Sequence, residues 1–161
     1  MITMPHFGYS FQSYDKTRHV RASIREKDIS HKHAREVSVA IKGLSIEKAR
    51  EFLENVIARK EAVPYRRYKN EVAHRSNIRT GFSAGRFPKK AASEFLKLID
   101  NLESNAEYKG MDLDRLRIVS ASVHKGTKLQ RFQPRAMGRS SPKFDILVHV
   151  ELVAQEARHE E

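Results

Sequence analysis

Leu116-Arg-Ile-Val-Ser-Ala-Ser-Val123 and Phe144-Asp-Ile-Leu-Val-His-Val-Glu-Leu152 decide how this chain folds. Val119, Ala121 and Val123 alternate with Ser120, Ser122 and His124. Phe144, Ile146, Val148, Val150 and Leu152 alternate with Asp145, His149 and Glu151. A period of two marks a strand with one buried face. Residues 126–143 separate the runs, far more than the roughly two to five residues of a tight hairpin turn. The expectation is an antiparallel pair drawn out into a long β-hairpin over residues 117–150.

Working outward, Val20, Ala22 and Ile24 alternate with Arg21, Ser23 and Arg25 and predict a third strand. Three stripes of helical period lie between. Ala34, Val37 and Ile41 form the first, with Ser30 as N-cap and Gly43 as stop. Ile46, Ala49, Phe52, Leu53, Val56 and Ile57 form the second, capped by Ser45, with Glu47 at the positive end of the helix dipole. Ala91, Phe95, Leu98, Ile99 and Leu102 form the third, after Pro88; it is expected to fray into the polar stretch 104–110. Three apolar-striped helices beside three alternating strands predict an α+β fold, the helices packed on one face of a small antiparallel sheet. The expected organisation is an N-terminal arm (1–17), a globular domain (18–116 with 148–154), the hairpin and an acidic tail (155–161). Residues 63–87 form a basic insert between helices two and three.

The chain has 161 residues and no cysteine, so no disulfide or thiolate metal site exists. No apolar run approaches the ~20 residues of a membrane-spanning helix, and no signal-peptide pattern opens the sequence. The expected setting is therefore the cytoplasm. Thirty-one Lys and Arg against twenty Asp and Glu leave a net charge of +11, which calls for a polyanionic partner.

The placement of that charge is more informative than its size. Residues 115–144 hold no carboxylate but eight cations: Arg115, Arg117, Lys125, Lys128, Arg131, Arg135, Arg139 and Lys143. A second basic stretch contains Arg59, Lys60, Arg66, Arg67, Lys69, Arg75, Arg79, Arg86, Lys89 and Lys90, answered only by Glu61 and Glu71. A charge run is usually a solvated face. These runs are single-signed, lie outside the helices and are interleaved with Tyr65, Tyr68, Phe82, Phe87 and Phe132. Arginine forks bind phosphate, and planar groups stack on bases. Basic irregular loops suit folded RNA, whereas helix two mixes Glu47, Lys48, Arg50, Glu51 and Glu54 and offers no basic face to a DNA groove. The candidate RNA-binding residues are Arg66, Arg67, Lys69, Arg75, Arg79, Arg86, Lys89, Lys90, Lys125, Lys128, Arg131, Arg135, Arg139 and Lys143.

Arg131-Phe-Gln-Pro-Arg-Ala-Met-Gly-Arg139 resembles the hairpin signature of a universal family of large-subunit ribosomal proteins, counted twenty-second in bacteria and seventeenth in eukaryotes. Lys32-His-Ala-Arg-Glu-Val37, Ile41-Lys-Gly43 and Ser45-Ile-Glu-Lys-Ala49 resemble that family's opening helix pair. The resemblance spans about Val20 to Val153. The insert and arm look like its archaeal and eukaryotic branch, and the short acidic end looks archaeal.

The resemblance implies a structural constituent of the large ribosomal subunit that binds large-subunit ribosomal RNA and touches neighbouring ribosomal proteins. Its globular domain would sit near the polypeptide exit. Its hairpin would line the exit tunnel and meet the nascent polypeptide, with Arg131, Phe132, Gln133, Pro134, Arg135, Ala136, Met137, Gly138 and Arg139 as the tunnel-lining tip. No catalysis, metal, cofactor, membrane or homo-oligomer is expected.

Three other readings compete for these residues. An enzyme would use the histidines, but His31 and His33 stand at i and i+2 and point apart on a helix. His74 and His124 have no sequence-adjacent carboxylate to orient them. A membrane anchor lacks an amphipathic helix with a basic face; the Gly81-x-x-x-Gly85 spacing sits in a polar loop and reads as flexibility. A free-standing RNA-binding regulator or assembly factor would share the same surface but be a compact module. Here arm, insert and hairpin all read as too polar to fold alone.

Overall fold

A computed structural model describes residues 8–79 and 81–156. Along the chain run β1 (His19–Lys27), α1 (His31–Ile41), α2 (Ile46–Ile57), β2 (Val63–Pro64), β3 (Gly85–Arg86), α3 (Lys89–Tyr108), β4 (Leu116–Pro134) and β5 (Ser140–Glu156). The main sheet has the order β1-β5-β4 and is antiparallel throughout; β2 and β3 form a separate two-stranded pair. The expected α+β architecture is present, with three helices, an antiparallel sheet and a long β4–β5 hairpin.

The alternation in β1 and β5 explains which face is covered. In β4 an irregularity between Ile118 and Ser120 shifts the phase, so Leu116 and Ile118 are buried, Ala121 and Val123 pack partly buried against the core, and Val119 does not join it. Val20 and Ala22 of β1, Leu116 and Ile118 of β4, and Val148, Val150, Leu152 and Ala154 of β5 are buried beneath the helices. They pack with Ala34, Val37 and Ile41 of α1, Leu53 and Val56 of α2, and Phe95, Leu98, Ile99 and Leu102 of α3. Burying each of the Val, Leu, Ile and Phe side chains among them contributes about 1.5–3 kcal/mol. Phe52 joins the same cluster at the α2 stripe.

Several local expectations differ from the structure. Ser30 and Ser45 occupy the N-cap positions of α1 and α2, but neither side chain caps its helix. Their carbonyls accept the first helical bonds, from the Ala34 and Ala49 N–H groups at 2.9 Å, and Ser45 is bridged through its backbone to Arg117. Gly43 ends α1 as expected: its φ is +88°, and its N–H donates to the Ile118 carbonyl.

Helix α3 does not fray at residue 104 but continues to Tyr108. Tertiary contacts hold its last turn. Ala106 is fully buried, Asn105 donates to the Arg21 carbonyl, and Lys109 just beyond donates to Tyr14 Oη and to the carbonyls of Lys16 and His19. The insert is likewise less polar in effect than it reads. Val63, Tyr65, Val72 and Ala84 all join the main core. Gly85 reflects tight packing rather than flexibility, because a Cβ there would meet Ile78 Cδ1 at 2.6 Å and the Val63 carbonyl oxygen at 3.1 Å.

Residues 8–17 fold back over the polar face of the sheet, the face that alternation leaves to Arg21, Ser23 and Glu151. Residues 1–7 of the arm and 157–161 of the tail lie outside the described residues. Ser10 donates to Glu151 Oε2 through both its N–H (2.9 Å) and its hydroxyl (2.8 Å), and Arg25 lies 3.1 Å from Oε1. The Arg21 guanidinium lies 4.5 Å from both the Tyr9 and Tyr14 ring centroids.

Burial pushes the Glu151 carboxyl upward. The two Ser10 hydrogen bonds, with Arg25 and His124, outweigh burial and hold it below its ordinary value of 4.5. A depressed folded value means stabilisation that is complete above pH 4.5 and is lost as pH falls through the folded value. Acidification should therefore release the arm before the core melts, read as a shift of the Ser10 amide resonance. In Glu151→Gln the docking of the arm should no longer depend on pH over that range.

Candidate nucleic-acid interface

All fourteen cations singled out in the sequence are exposed. They fall into two groups, one on the insert and the start of α3, the other along the hairpin. Arg79 is paired with Glu61 (2.9 Å) and Glu51 (3.6 Å), and Lys90 with Asp28 (2.6 Å). The other twelve have no carboxylate partner among the described residues.

The insert cations are aimed by a buried acid that the sequence reading passed over. Glu36 of α1 is 1% exposed. Its Oε2 accepts the Arg66 N–H at 3.0 Å, and its Oε1 accepts those of Arg67 and Tyr68 at 3.0 and 3.1 Å. A single carboxylate thus ties down three successive backbone N–H groups and turns the Arg66 and Arg67 side chains outward. The Arg35 guanidinium stands 3.6 Å from the same carboxylate. In the sequence Glu36 is the single acid of α1, next to Arg35, and only its place beside Val37 on the inward face distinguishes it. A second groove is lined by Arg59, His74, Arg75, Arg86 and Phe87, with the Arg75 guanidinium 5.7 Å from the Phe87 ring centroid.

On the hairpin, pairing continues to the very end. Gln130 faces Phe144, Arg131 faces Lys143, Phe132 faces Pro142 and Pro134 faces Ser140. The turn is closed by the Arg135 N–H to the Arg139 carbonyl at 2.8 Å, with Met137 at φ 56° and Gly138 at φ 67°. Two consecutive left-handed residues make the reversal, and the glycine meets the second at no steric cost. All nine tip residues, 131–139, are exposed; Met137 is 93% and Phe132 66% exposed. Lys128 Nζ stands 3.7 Å from the Phe144 ring centroid.

Where the hairpin leaves the domain, β1 and β4 each carry an irregularity, between Ile24 and Lys27 and between Lys125 and Lys128. Glu26 and His149 lock the two together. The Glu26 N–H donates to His149 Nδ1 (3.1 Å), and the imidazole's Nε2 lies 3.3 Å from Glu26 Oε1, which also accepts from the Thr127 hydroxyl. Gly126 passes so close that a Cβ would meet the His149 ring at 2.8 Å. His124, expected to lack an orienting acid in sequence, has one in space: its Nε2 lies 3.9 Å from Glu151.

His31 and His33 do not form a joint site. Each is pushed below its ordinary value mainly by burial, then by Lys125 and Lys32 for His31 and by Arg86 and Lys32 for His33. Among the described residues no group of three His, Cys, Asp or Glu could hold a metal.

The described residues thus form a small α+β domain whose insert and projecting hairpin carry exposed cations, twelve of them without a carboxylate partner among those residues. The model of the family described as ribosomal protein L22p/L17e matches residues 22–155, and the chain belongs to that family of structural, non-enzymatic proteins. It is 66% identical to the large ribosomal subunit protein uL22 of Nitrosopumilus maritimus, covering 95% of this chain and 99% of that one. It is equally similar, 66%, to that of Cenarchaeum symbiosum (96% and 100% covered), and 46% identical to that of Methanopyrus kandleri (94% and 96%). These relatives are archaeal, as the insert and short tail suggested.

Glu36→Ala should leave three backbone N–H groups to find water or go unpaired, costing about 1–3 kcal/mol. Hydrogen exchange should speed up at Arg66, Arg67 and Tyr68, while α3 keeps its protection.

Proposed function

We propose that this chain is a structural constituent of the large ribosomal subunit in the cytoplasm, holding large-subunit ribosomal RNA through the insert and the hairpin. The globular domain sits near the polypeptide exit against neighbouring ribosomal proteins. The hairpin lines the exit tunnel and presents residues 131–139 to the nascent polypeptide. The names of its relatives support the ribosomal setting.

One observation carries the RNA-binding part. Arg131 and Lys143 are direct cross-strand partners on a two-stranded ribbon with no carboxylate from residue 115 to 144. Like charges facing each other destabilise a ladder, and a two-stranded ribbon is marginal in water even without them. A wall of phosphates removes the repulsion and supplies the missing face.

Affinity of the full chain for large-subunit ribosomal RNA should fall steeply with salt, and a salt-independent affinity would overturn the proposal. Anchoring and tunnel lining should also separate. Deleting residues 137–139 removes one charge and no core side chain, so subunits should still incorporate the protein while their response to tunnel-binding drugs or stalling peptides changes. Phe52→Asp places a charge in the core at a cost on the order of several kcal/mol and should abolish incorporation. Loss of assembly on tip deletion together with tolerance of Phe52→Asp would reverse the assignment.

A further inference from the structure

We infer that the recess beside the turn at residues 65–70 receives one unstacked ribonucleotide of the bound RNA, base inward and phosphate at the rim; this rests on the RNA-binding reading above. The recess is bordered by Lys32, His33, Tyr65, Arg67, Tyr68 and Arg86. Tyr65 is 1% exposed, and its buried hydroxyl has no hydrogen-bond partner among the described residues. A buried hydroxyl without a partner is destabilising, and native folds keep few of them.

The chemistry of the recess is graded from inside to outside. Its depth is planar and uncharged. The His33 ring meets the Tyr65 ring edge-on at 5.8 Å, and burial, ahead of Arg86 and Lys32, pushes the imidazole toward its neutral form. Burial also raises the Tyr65 phenol, so it stays protonated and able to donate. The rim is cationic. Lys32 and Arg67 stand 5.8 and 5.7 Å from the Tyr68 ring centroid, which holds both near the opening, and Arg86 completes the set.

A bare phosphate would be satisfied by the rim and would leave the interior unused. A nucleotide matches both zones: its phosphate meets the rim cations, its base lies among planar side chains, and a base acceptor accepts the hydrogen bond that the Tyr65 hydroxyl donates. Glu36, the carboxylate whose charge acts on Tyr65, is engaged by the three N–H groups of the same turn.

The full chain with Tyr65→Phe provides the test, since that change removes an oxygen that no described residue bonds. Its melting temperature should stay level or rise. Its affinity for full-length large-subunit ribosomal RNA should fall about 2- to 10-fold with the salt dependence unchanged, because no phosphate contact is lost. Arg67→Ala should instead flatten the log–log salt slope by about 1.

Undiminished binding by Tyr65→Phe, beside a parent chain that binds RNA with steep salt dependence, would sink the recess and leave the RNA-binding reading standing. A parent chain indifferent to RNA would overturn both. A lowered melting temperature in Tyr65→Phe would make the hydroxyl a structural group and also count against the recess. Titration of the parent with uridine 5′-monophosphate and with inorganic phosphate separates the two ligand chemistries. Shifts of the Tyr65 and His33 ring resonances with the nucleotide alone support the proposal. Equal shifts with both would reduce the recess to an anion site and overturn it.

Discussion

Strand β5 is bonded along both edges at one end and along one edge at the other, and the rest of the molecule follows from that asymmetry. From Val148 to Gln155 it pairs with both β1 and β4. That half is the middle of a three-stranded sheet, with helices over one face and the arm over the other. From Ser140 to Ile146 it keeps only β4, and both faces are open. The same backbone is therefore core at its C-terminal end and an unsupported ribbon at the start. No loop or linker separates the two roles, so the ribbon inherits its register from the sheet that anchors it.

The buried acids serve this division. Glu36 and Glu151 are both almost wholly buried, yet each is spent on backbone or arm rather than on a catalytic partner. Glu36 orders the turn that presents Arg66 and Arg67, and Glu151 fastens the arm across the sheet. Buried carboxylates are expensive unless well bonded, and these two accept several hydrogen bonds each. The insert and the hairpin are thereby left mostly to cations: Glu71 is the single acid of residues 63–87 and Asp145 that of residues 117–150.

Much of this was legible before any coordinates. Helical stripes such as Ile46 to Ile57 and the alternation in Phe144 to Leu152 are periodic signals that burial of one face requires, and they located the elements closely. The strand lengths were less legible. Beyond Val123 the alternation disappears because neither face is buried, although the ladder runs on to Pro134. The insert hid its contribution because Val63, Tyr65, Val72 and Ala84 are scattered without a period, each reaching the core from an irregular path. Glu36 and the unpaired Tyr65 hydroxyl could not be read from spacing, since both are defined by partners some thirty residues away or by the lack of one. The exposed cations were legible individually; that the aiming of Arg66 and Arg67 depends on an acid in the first helix was not.

The paired irregularities at Glu26 and Gly126 turn the hairpin into a lever with a fixed elbow. From Lys125 to Pro134 the ribbon advances about nine residues, roughly 30 Å at ~3.3 Å each. An angular error of about 10° at the elbow would carry Met137 sideways by about 5 Å, more than a hydrogen bond can follow. The imidazole of His149, gripped at both nitrogens by Glu26, and the missing side chain at Gly126 are what keep that angle small. Positioning at the far end is therefore decided by a handful of atoms on the domain's margin, where a change would leave the body of the protein intact and its reach misdirected.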